Sequence, residues 1–307
     1  MVGVNASKLR IGSRIRRTKS DWVVTIVSYL VVTLFALTVI YPVLNIIAVS
    51  VSSYRSYQLT PWMFFPYEFD FGAFSAVFSS RLIMRSYLNT IIITLGGTTL
   101  VLLLTTITAY PLSRSELKGK PIFMTYIIFT MVFNGGLIPN FLLVRTLGMH
   151  DTLFALFVPG ALSAFFVILM INFFKGIPSS LIEAARIDGA SEMRVLMRVV
   201  LPLSTAILAT IALFASVGLW NNFFNAVVFI RRQELWPVQL VLREIIMAAN
   251  MAVLQADGNF AEVNLRNLPT VSLRYAALIV TMLPIMCVYP FIQKYFVSGV
   301  MIGAVKG

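Results

Sequence analysis

Residues 178–202 read Pro178-Ser179-Ser180-Leu181-Ile182-Glu183-Ala184-Ala185-Arg186-Ile187-Asp188-Gly189-Ala190-Ser191-Glu192-Met193-Arg194-Val195-Leu196-Met197-Arg198-Val199-Val200-Leu201-Pro202. Ser180 stands three residues ahead of Glu183, the spacing at which a Ser and a Glu satisfy each other's backbone donors in a capping box. Gly189 sits where a helix would end in the left-handed conformation. Ser191 can cap a second short helix, and Pro202 would close it. The stretch is therefore expected to be a helix–turn–helix rather than a flexible connector.

On both sides of this stretch the chain becomes apolar, over 152–174 before it and 204–230 after it. A bilayer core takes about 20 helical residues, and six segments qualify: 22–50, 87–111, 121–144, 152–174, 204–230 and 275–297. Hydrophobic residues make up 59% of the 307 and charged residues 12%, too few charges to clothe a soluble fold of this length. The expected fold class is an all-α membrane protein with six transmembrane helices. Its parts are a basic tail at 1–21, a first helix at 22–50, an outer loop at 51–86, a core at 87–297 and a tail at 298–307. The run at 22–50 is too long for a cleavable leader and is read as a retained span.

The net charge of +12 does not point to nucleic acid, because the aromatics lie within the apolar runs and the basic residues flank them. With the N-terminus in the cytoplasm, fifteen of the 24 Lys and Arg residues fall inside and nine outside, which favours both termini inside. Residues 178–202 then lie on the cytoplasmic side. The large outer loops are 51–86 and 231–274, the latter with an amphipathic helix expected around 240–254. Each loop is either a lid on the bundle or a docking surface. Asn134, Gly135, Gly136 and Pro139 interrupt the third span, Pro159-Gly160 the fourth, and Pro284 and Pro290 the sixth.

Catalysis by this chain is poorly supported. Gly119-Lys120 is followed by Pro121 and lacks the glycine spacing of a phosphate-binding loop, and neither a His-Glu-x-x-His nor a Gly-x-Ser-x-Gly pattern occurs. The single histidine, His150, excludes a histidine-rich metal site, and the single cysteine, Cys287, an internal disulfide. All twelve acidic residues fall in loops or at span edges, which argues against a proton-coupled carrier. Polar groups at span depth are richest at Trp220-Asn221-Asn222-Phe223-Phe224-Asn225. Asn221 and Asn225 would share a helix face, and Trp220, Phe223 and Phe224 offer flat faces to sugar rings. Packing between helices accounts for the same residues and ranks ahead of direct solute contact.

The run Glu183-Ala184-Ala185, Asp188-Gly189-Ala190 and Leu201-Pro202 resembles the signature of bacterial ATP-binding-cassette import permeases. Trp220–Asn225, Glu234-Leu235-Trp236-Pro237, Asn134-Gly135-Gly136-Leu137-Ile138-Pro139 and the ending Gly299–Gly307 resemble the carbohydrate-uptake branch, of the type of the maltose importer's second permease. They are similar, within it, to permeases for polysaccharides and complex oligosaccharides. The resemblance implies a type I importer fold in which Glu183, Ala184, Ala185, Asp188, Gly189 and Ala190 form a coupling helix against a separate ATPase. It implies a second permease, two ATPase subunits that bind the ATP and Mg, a solute-binding protein docking on 231–274, and the bacterial cytoplasmic membrane as location. The tail at 301–307 would reach toward the ATPases. Trp220, Asn221, Asn222, Phe224 and Asn225 remain the candidate solute path. An acidic glycan would suit Arg231 and Arg232, which are equally explained as span-end anchors. The alternatives are a permease for a non-sugar solute or an ion-coupled carrier.

Overall fold

The computed structural model describes residues 19–257 and 271–287. Their regular structure is helical; among them the only strand-like pairing is an isolated bridge between Ser52 and Phe69. Helix α1 (Lys19–Ser50) precedes two short helices of the 51–86 segment, α2 (Tyr54–Leu59) and α3 (Gly72–Ser79). Asn45 in α1 donates to the carbonyls of Pro61 and Met63, both at 3.0 Å, and so fastens this loop down. Helix α4 (Arg81–Ser113) follows, capped by Ser80, whose hydroxyl accepts the Ile83 amide.

Helix α4 is the axis of the bundle. Its 33 residues reach about 50 Å at 1.5 Å per residue, more than a bilayer core requires. Helices α7 (Ala164–Lys175) and α10 (Thr205–Trp220) pack along it. Gly97 permits the closest approach: a Cβ there would lie 2.6 Å from Leu219 Cδ1 and 2.9 Å from Phe157 Cβ. By contrast α1 and α5 (Lys120–Val132) present apolar side chains to the surroundings on nearly every side, as helices facing lipid or another subunit do.

Among the described residues, only α1 and α4 are both long and apolar enough to cross a membrane unbroken; three bent pairs of helices reach that length and apolarity when each pair is taken together. Helix α5 meets α6 (Leu137–Thr146) at 114°. The break follows from the sequence: Asn134 accepts the Gly136 amide at 2.9 Å, and Gly136 adopts φ +85°, which L side chains disfavour. The span expected over 121–144, with its interruption at Asn134–Pro139, is thus a 13-residue helix that turns back at that interruption. Likewise the expected span at 152–174 is helical only from Ala164, after a 3-10 turn at Leu153–Leu156 and the Pro159-Gly160 break. The fifth run stops at Trp220 and resumes as α11 (Phe224–Phe229). The segment after α11 carries α12 (Val238–Asp257), which includes the expected amphipathic stretch. Of the sixth run, Val271–Cys287 is a helix, α13; the rest and the expected C-terminal contact at 301–307 lie outside the described residues.

Candidate functional site

The segment at 178–202 lies at the Ser113 end of α4. Helix α8 (Ser179–Ile187) starts directly after Pro178, with no side-chain cap. The expected capping box is not formed, because Ser180 already lies within the first turn rather than ahead of it. At the other end the Gly189 amide donates to the Arg186 carbonyl and the Ala190 amide to the Ala185 carbonyl, both at 3.0 Å, with Gly189 at φ +79°. This is a Schellman closure, and Ala185 and Ala190 supply its apolar contact against the core.

Helix α8 has two faces. Ile182 is buried among Phe174, Val195, Leu196 and Val200. Glu183, Ala184, Asp188 and Gly189 are exposed, and Ile187 beside them is 86% exposed. Of the six residues expected at an ATPase contact, four are accessible, and Ala185 and Ala190 are half-buried. Sequence reasoning missed Ile187; its signal was an apolar residue between two charged neighbours.

Arg186 ties this helix to the bundle. Its Nη1 and Nη2 donate to the two carboxylate oxygens of Glu116, at 3.2 and 3.1 Å, and its Nε donates to Glu192 Oε1 at 2.8 Å. The second Glu192 oxygen accepts the Tyr110 hydroxyl at 2.7 Å, and the Arg114 guanidinium stacks 4.6 Å above the Tyr110 ring. Arg186 holds the Glu116 carboxyl below its usual range, and the Tyr110 hydroxyl, with Arg186 second, does the same for Glu192. Glu116, then Glu192, raise the Arg186 pKa. The guanidinium thereby fastens α8 to the start of α9 (Glu192–Leu203) and to the segment that follows α4, and Glu192 passes the link on to Tyr110 in the last turns of α4. The Glu116 partner was not legible as such, since 70 residues separate it from Arg186.

Ser191 takes the expected place ahead of α9, although its side chain makes no cap bond. The helix ends at Leu203, one residue past Pro202, where it was expected to close. A π turn over Leu196–Val200, in which the Leu201 amide reaches the Leu196 carbonyl, widens it just ahead of Pro202. The chain then bends by 80° into α10.

The opposite end of α4 is fastened to the chain beyond α11. Asn89 donates to the carbonyls of Glu234 and Trp236 at 2.8 and 3.1 Å, and the buried Thr90 hydroxyl accepts the Val238 amide at 2.8 Å. Asp151, at φ +59°, accepts the amides of Arg231 and Arg232, both at 3.0 Å, and the Arg232 guanidinium at 2.9 Å. The Arg232 amide, followed by the other Arg231 and Arg232 donors, holds this carboxyl low. Arg232 thus serves as an anchor.

Between these ends lies a cavity of about 490 Å3. Its wall includes Asn134 from the α5–α6 break and Asn140 from the first turn of α6, Asn222 from the α10–α11 break and Asn225 from the start of α11, with Phe157, Phe166, Phe214 and Phe229. The expected shared face of Asn221 and Asn225 is absent because the helix stops between them. Asn222 instead accepts the Asn225 amide at 3.3 Å and so starts α11. Asn221 lies outside the cavity wall: its amide group donates to the Val217 carbonyl and its carbonyl accepts from Gln239. Trp220 is a buried strut whose Nε1–H donates to the Thr281 carbonyl at 3.2 Å, joining α10 to α13. Phe223 and Phe224 are exposed and do not line the cavity. Asn134 and Asn140 were missed as wall residues because their approach to Asn222 depends on the α5–α6 turn.

The family described as binding-protein-dependent transport system inner membrane component matches residues 117–302. Protein LplC of Bacillus subtilis (strain 168) is 40% identical over 268 residues, 87% of this chain and 90% of that protein. The polygalacturonan/rhamnogalacturonan transport system permease protein YtcP of the same organism is 36% identical, covering 89% of this chain and 95% of its own length. A chain of the crystal structure of a bacterial ABC transporter involved in the import of the acidic polysaccharide alginate superposes with a TM-score of 0.82. It is 36% identical, over 91% of this chain and 98% of that one. With a buried-and-clamped helix pair at one end of a broken-span bundle and these relatives over nearly its whole length, the chain belongs to the binding-protein-dependent transport system inner membrane components.

Proposed function

We propose that this chain is the permease subunit of an ATP-driven importer that carries an oligosaccharide or polysaccharide across the cytoplasmic membrane by alternating access. The observation that carries the reading is the mount of α8. The helix exposes Glu183, Ala184, Ile187, Asp188 and Gly189, while its other face is packed into the core and its Arg186 is bonded to Glu116 and Glu192. A partner gripping the exposed face would move α4 and α9 with it, so force enters the spans without deforming the helix. The partner is a separate ATPase, present as a pair with a second permease; an extracytoplasmic binding protein supplies the solute at the 231–274 side. Both termini are cytoplasmic. The relatives named for polygalacturonan, rhamnogalacturonan and alginate support a glycan as the solute.

The test is binding-protein-dependent ATPase activity of the assembled complex with Glu183→Ala and with Gly189→Pro. The first removes the exposed charge, and the second cannot adopt the φ +79° on which the closure depends. Loss of stimulation with the ATPase still bound, or loss of ATPase binding, is expected. Normal assembly and normal stimulation in both variants would refute the coupling role.

A further inference from the structure

The irregular stretch between α2 and α3 turns its rings outward. Between positions 61 and 71 every aromatic side chain, Trp62, Phe64, Phe65, Tyr67, Phe69 and Phe71, is more than half exposed, and Phe65 is 81% exposed. The backbone beneath them is nevertheless fixed. Asn45 of α1 holds the carbonyls of Pro61 and Met63, and Met63 is buried against Ala48 and Val49. The Asp70 amide donates to the Val51 carbonyl at 2.9 Å, and the Ser53 amide to the Glu68 carbonyl at 3.1 Å. Six rings presented together on a fastened loop form a contiguous apolar patch of the kind that marks a contact surface.

What the patch contacts follows from its level along α1. Positions 22–40 carry no charged side chain; they rise about 28 Å at 1.5 Å per residue, close to the roughly 30 Å of a bilayer core. Tyr41 therefore falls at the bilayer boundary at the Ser50 end of α1. Trp62 stacks on Tyr41, with ring centroids 6.5 Å apart and planes at 17°, and Phe64 meets it edge-on at 4.9 Å. These rings thus lie at the level where Trp and Tyr concentrate in membrane proteins. The exposed Leu37, Ile40 and Leu44 continue the apolar surface along α1. An irregular backbone does not sit deeper in lipid, because its polar groups would be left unsatisfied there.

We infer that residues 61–71 form a lipid-contact site, seated among the headgroups and first acyl carbons at the Ser50 end of α1. The lipid it takes is zwitterionic or uncharged. From 58 to 80 the only charged side chains are Glu68 and Asp70, and both are turned to their own loop: Glu68 accepts the Ser53 hydroxyl at 2.7 Å and Asp70 the Gly72 amide at 2.8 Å. No cation among them would favour an anionic headgroup. A glycan in transit could also stack on such rings. However, the stretch packs through Met63 against α1 and against Val271 and Tyr275 of α13, whereas the asparagine-lined cavity is walled from the α5–α6 and α10–α11 breaks. Seated in the boundary, the stretch holds α1, whose apolar surface the rest of the chain leaves exposed, at one level of the bilayer.

The experiment uses the assembled importer in phosphatidylcholine nanodiscs. Phe65→Cys in a Cys287→Ser background is labelled with a thiol-reactive fluorophore, and the signal of the labelled Cys287→Ser complex is subtracted. The quenchers are nitroxide lipids labelled at the fifth or the twelfth acyl carbon, and aqueous iodide. The fifth-carbon label should quench roughly twofold more than the twelfth, as for a probe about 5–10 Å into the headgroup–acyl boundary, and iodide should quench little. Stronger quenching from the twelfth carbon would place the stretch in hydrocarbon and overturn the proposal. Quenching by iodide alone would show that it faces water, and protection from all three quenchers that another subunit covers it; either result overturns the proposal. Replacing part of the phosphatidylcholine by phosphatidylglycerol, with the nitroxide carried on the phosphatidylglycerol, should not raise the quenching; a rise would refute the choice of lipid. Binding-protein-dependent ATPase activity of the same samples reports separately on the transport reading, so failure of one is distinguishable from failure of the other.

Discussion

Adding one methyl group at Gly97 is expected to separate the two helices at the centre of the bundle. Its Cβ would lie 2.6 Å from Leu219 Cδ1 and 2.9 Å from Phe157 Cβ, against an ordinary carbon–carbon separation of about 3.5–4.0 Å. Leu219 can rotate its branch end away, but Phe157 Cβ is fixed to its backbone, so about 0.5–1 Å must open between the elements. Overpacking of this kind costs about 1–3 kcal/mol. Gly96 is the internal control, because a Cβ there meets only Phe157 Cζ at 3.9 Å. Both glycines lie within α4, so the intrinsic helix gain of Gly→Ala, about 1 kcal/mol, is common to both variants. The difference between Gly97→Ala and Gly96→Ala therefore isolates the steric cost. The thermal midpoint of the purified complex should be roughly 2–10 °C lower for Gly97→Ala than for Gly96→Ala. Since Phe157 and Leu219 also wall the cavity, uptake should fall in the first variant alone. Equal midpoints and equal uptake would refute the close-packing argument.

Three further outcomes are expected. Thr90→Val keeps the shape but strands the Val238 amide, now accepted by a buried hydroxyl. A cost of about 1–3 kcal/mol should appear in chemical unfolding, with hydrogen exchange quickened first at 234–240. Asp151→Ala removes the acceptor of both the Arg231 and Arg232 amides and places a less tolerant residue at φ +59°. It should destabilise by about 1–3 kcal/mol, whereas Asp151→Asn, which retains an oxygen and tolerates this conformation, should cost less; thermal midpoints rank the pair. The pH response follows from Glu116, Glu192 and Asp151, whose folded pKa values all lie below their ordinary values of 4.5, 4.5 and 3.8. Their stabilisation is fully present above those values and is lost as pH falls through the lowered ones. Stability should thus be insensitive to them between pH 6 and 8 and decline in acid below about pH 4.5; a decline centred near neutrality would contradict the ion-pair assignments.

Much of the α8 region was legible in the sequence because its determinants are local. Gly189 ends a helix in any surroundings that tolerate a positive φ, and Ala185 and Ala190 flank it at the spacing the closure needs. The capping box was misread for an equally local reason: Pro178 can itself stand ahead of the first turn. Run length identified the apolar segments, and their Asn, Gly and Pro residues the places of interruption, but not the angles at which the helices meet there. Hydropathy reports what a residue avoids, not where a carbonyl finds its donor, so Asn134-Gly135-Gly136 read as a flaw in a span rather than as a reversal.

By itself the sequence determined that the chain is helical and bilayer-sized in its runs, that 178–190 forms a closed helix, and, through spacing, to which kind of transporter it is similar. Only the tertiary structure decided which residues act together. Arg186 finds Glu116 across 70 residues, Thr90 takes the Val238 amide across 148, and four asparagines at or just after two separate breaks meet at one cavity. Helix periodicity orders neighbours three and four apart. Contacts between distant helices depend on bend angles and close approaches, such as the one Gly97 permits, that no local pattern records.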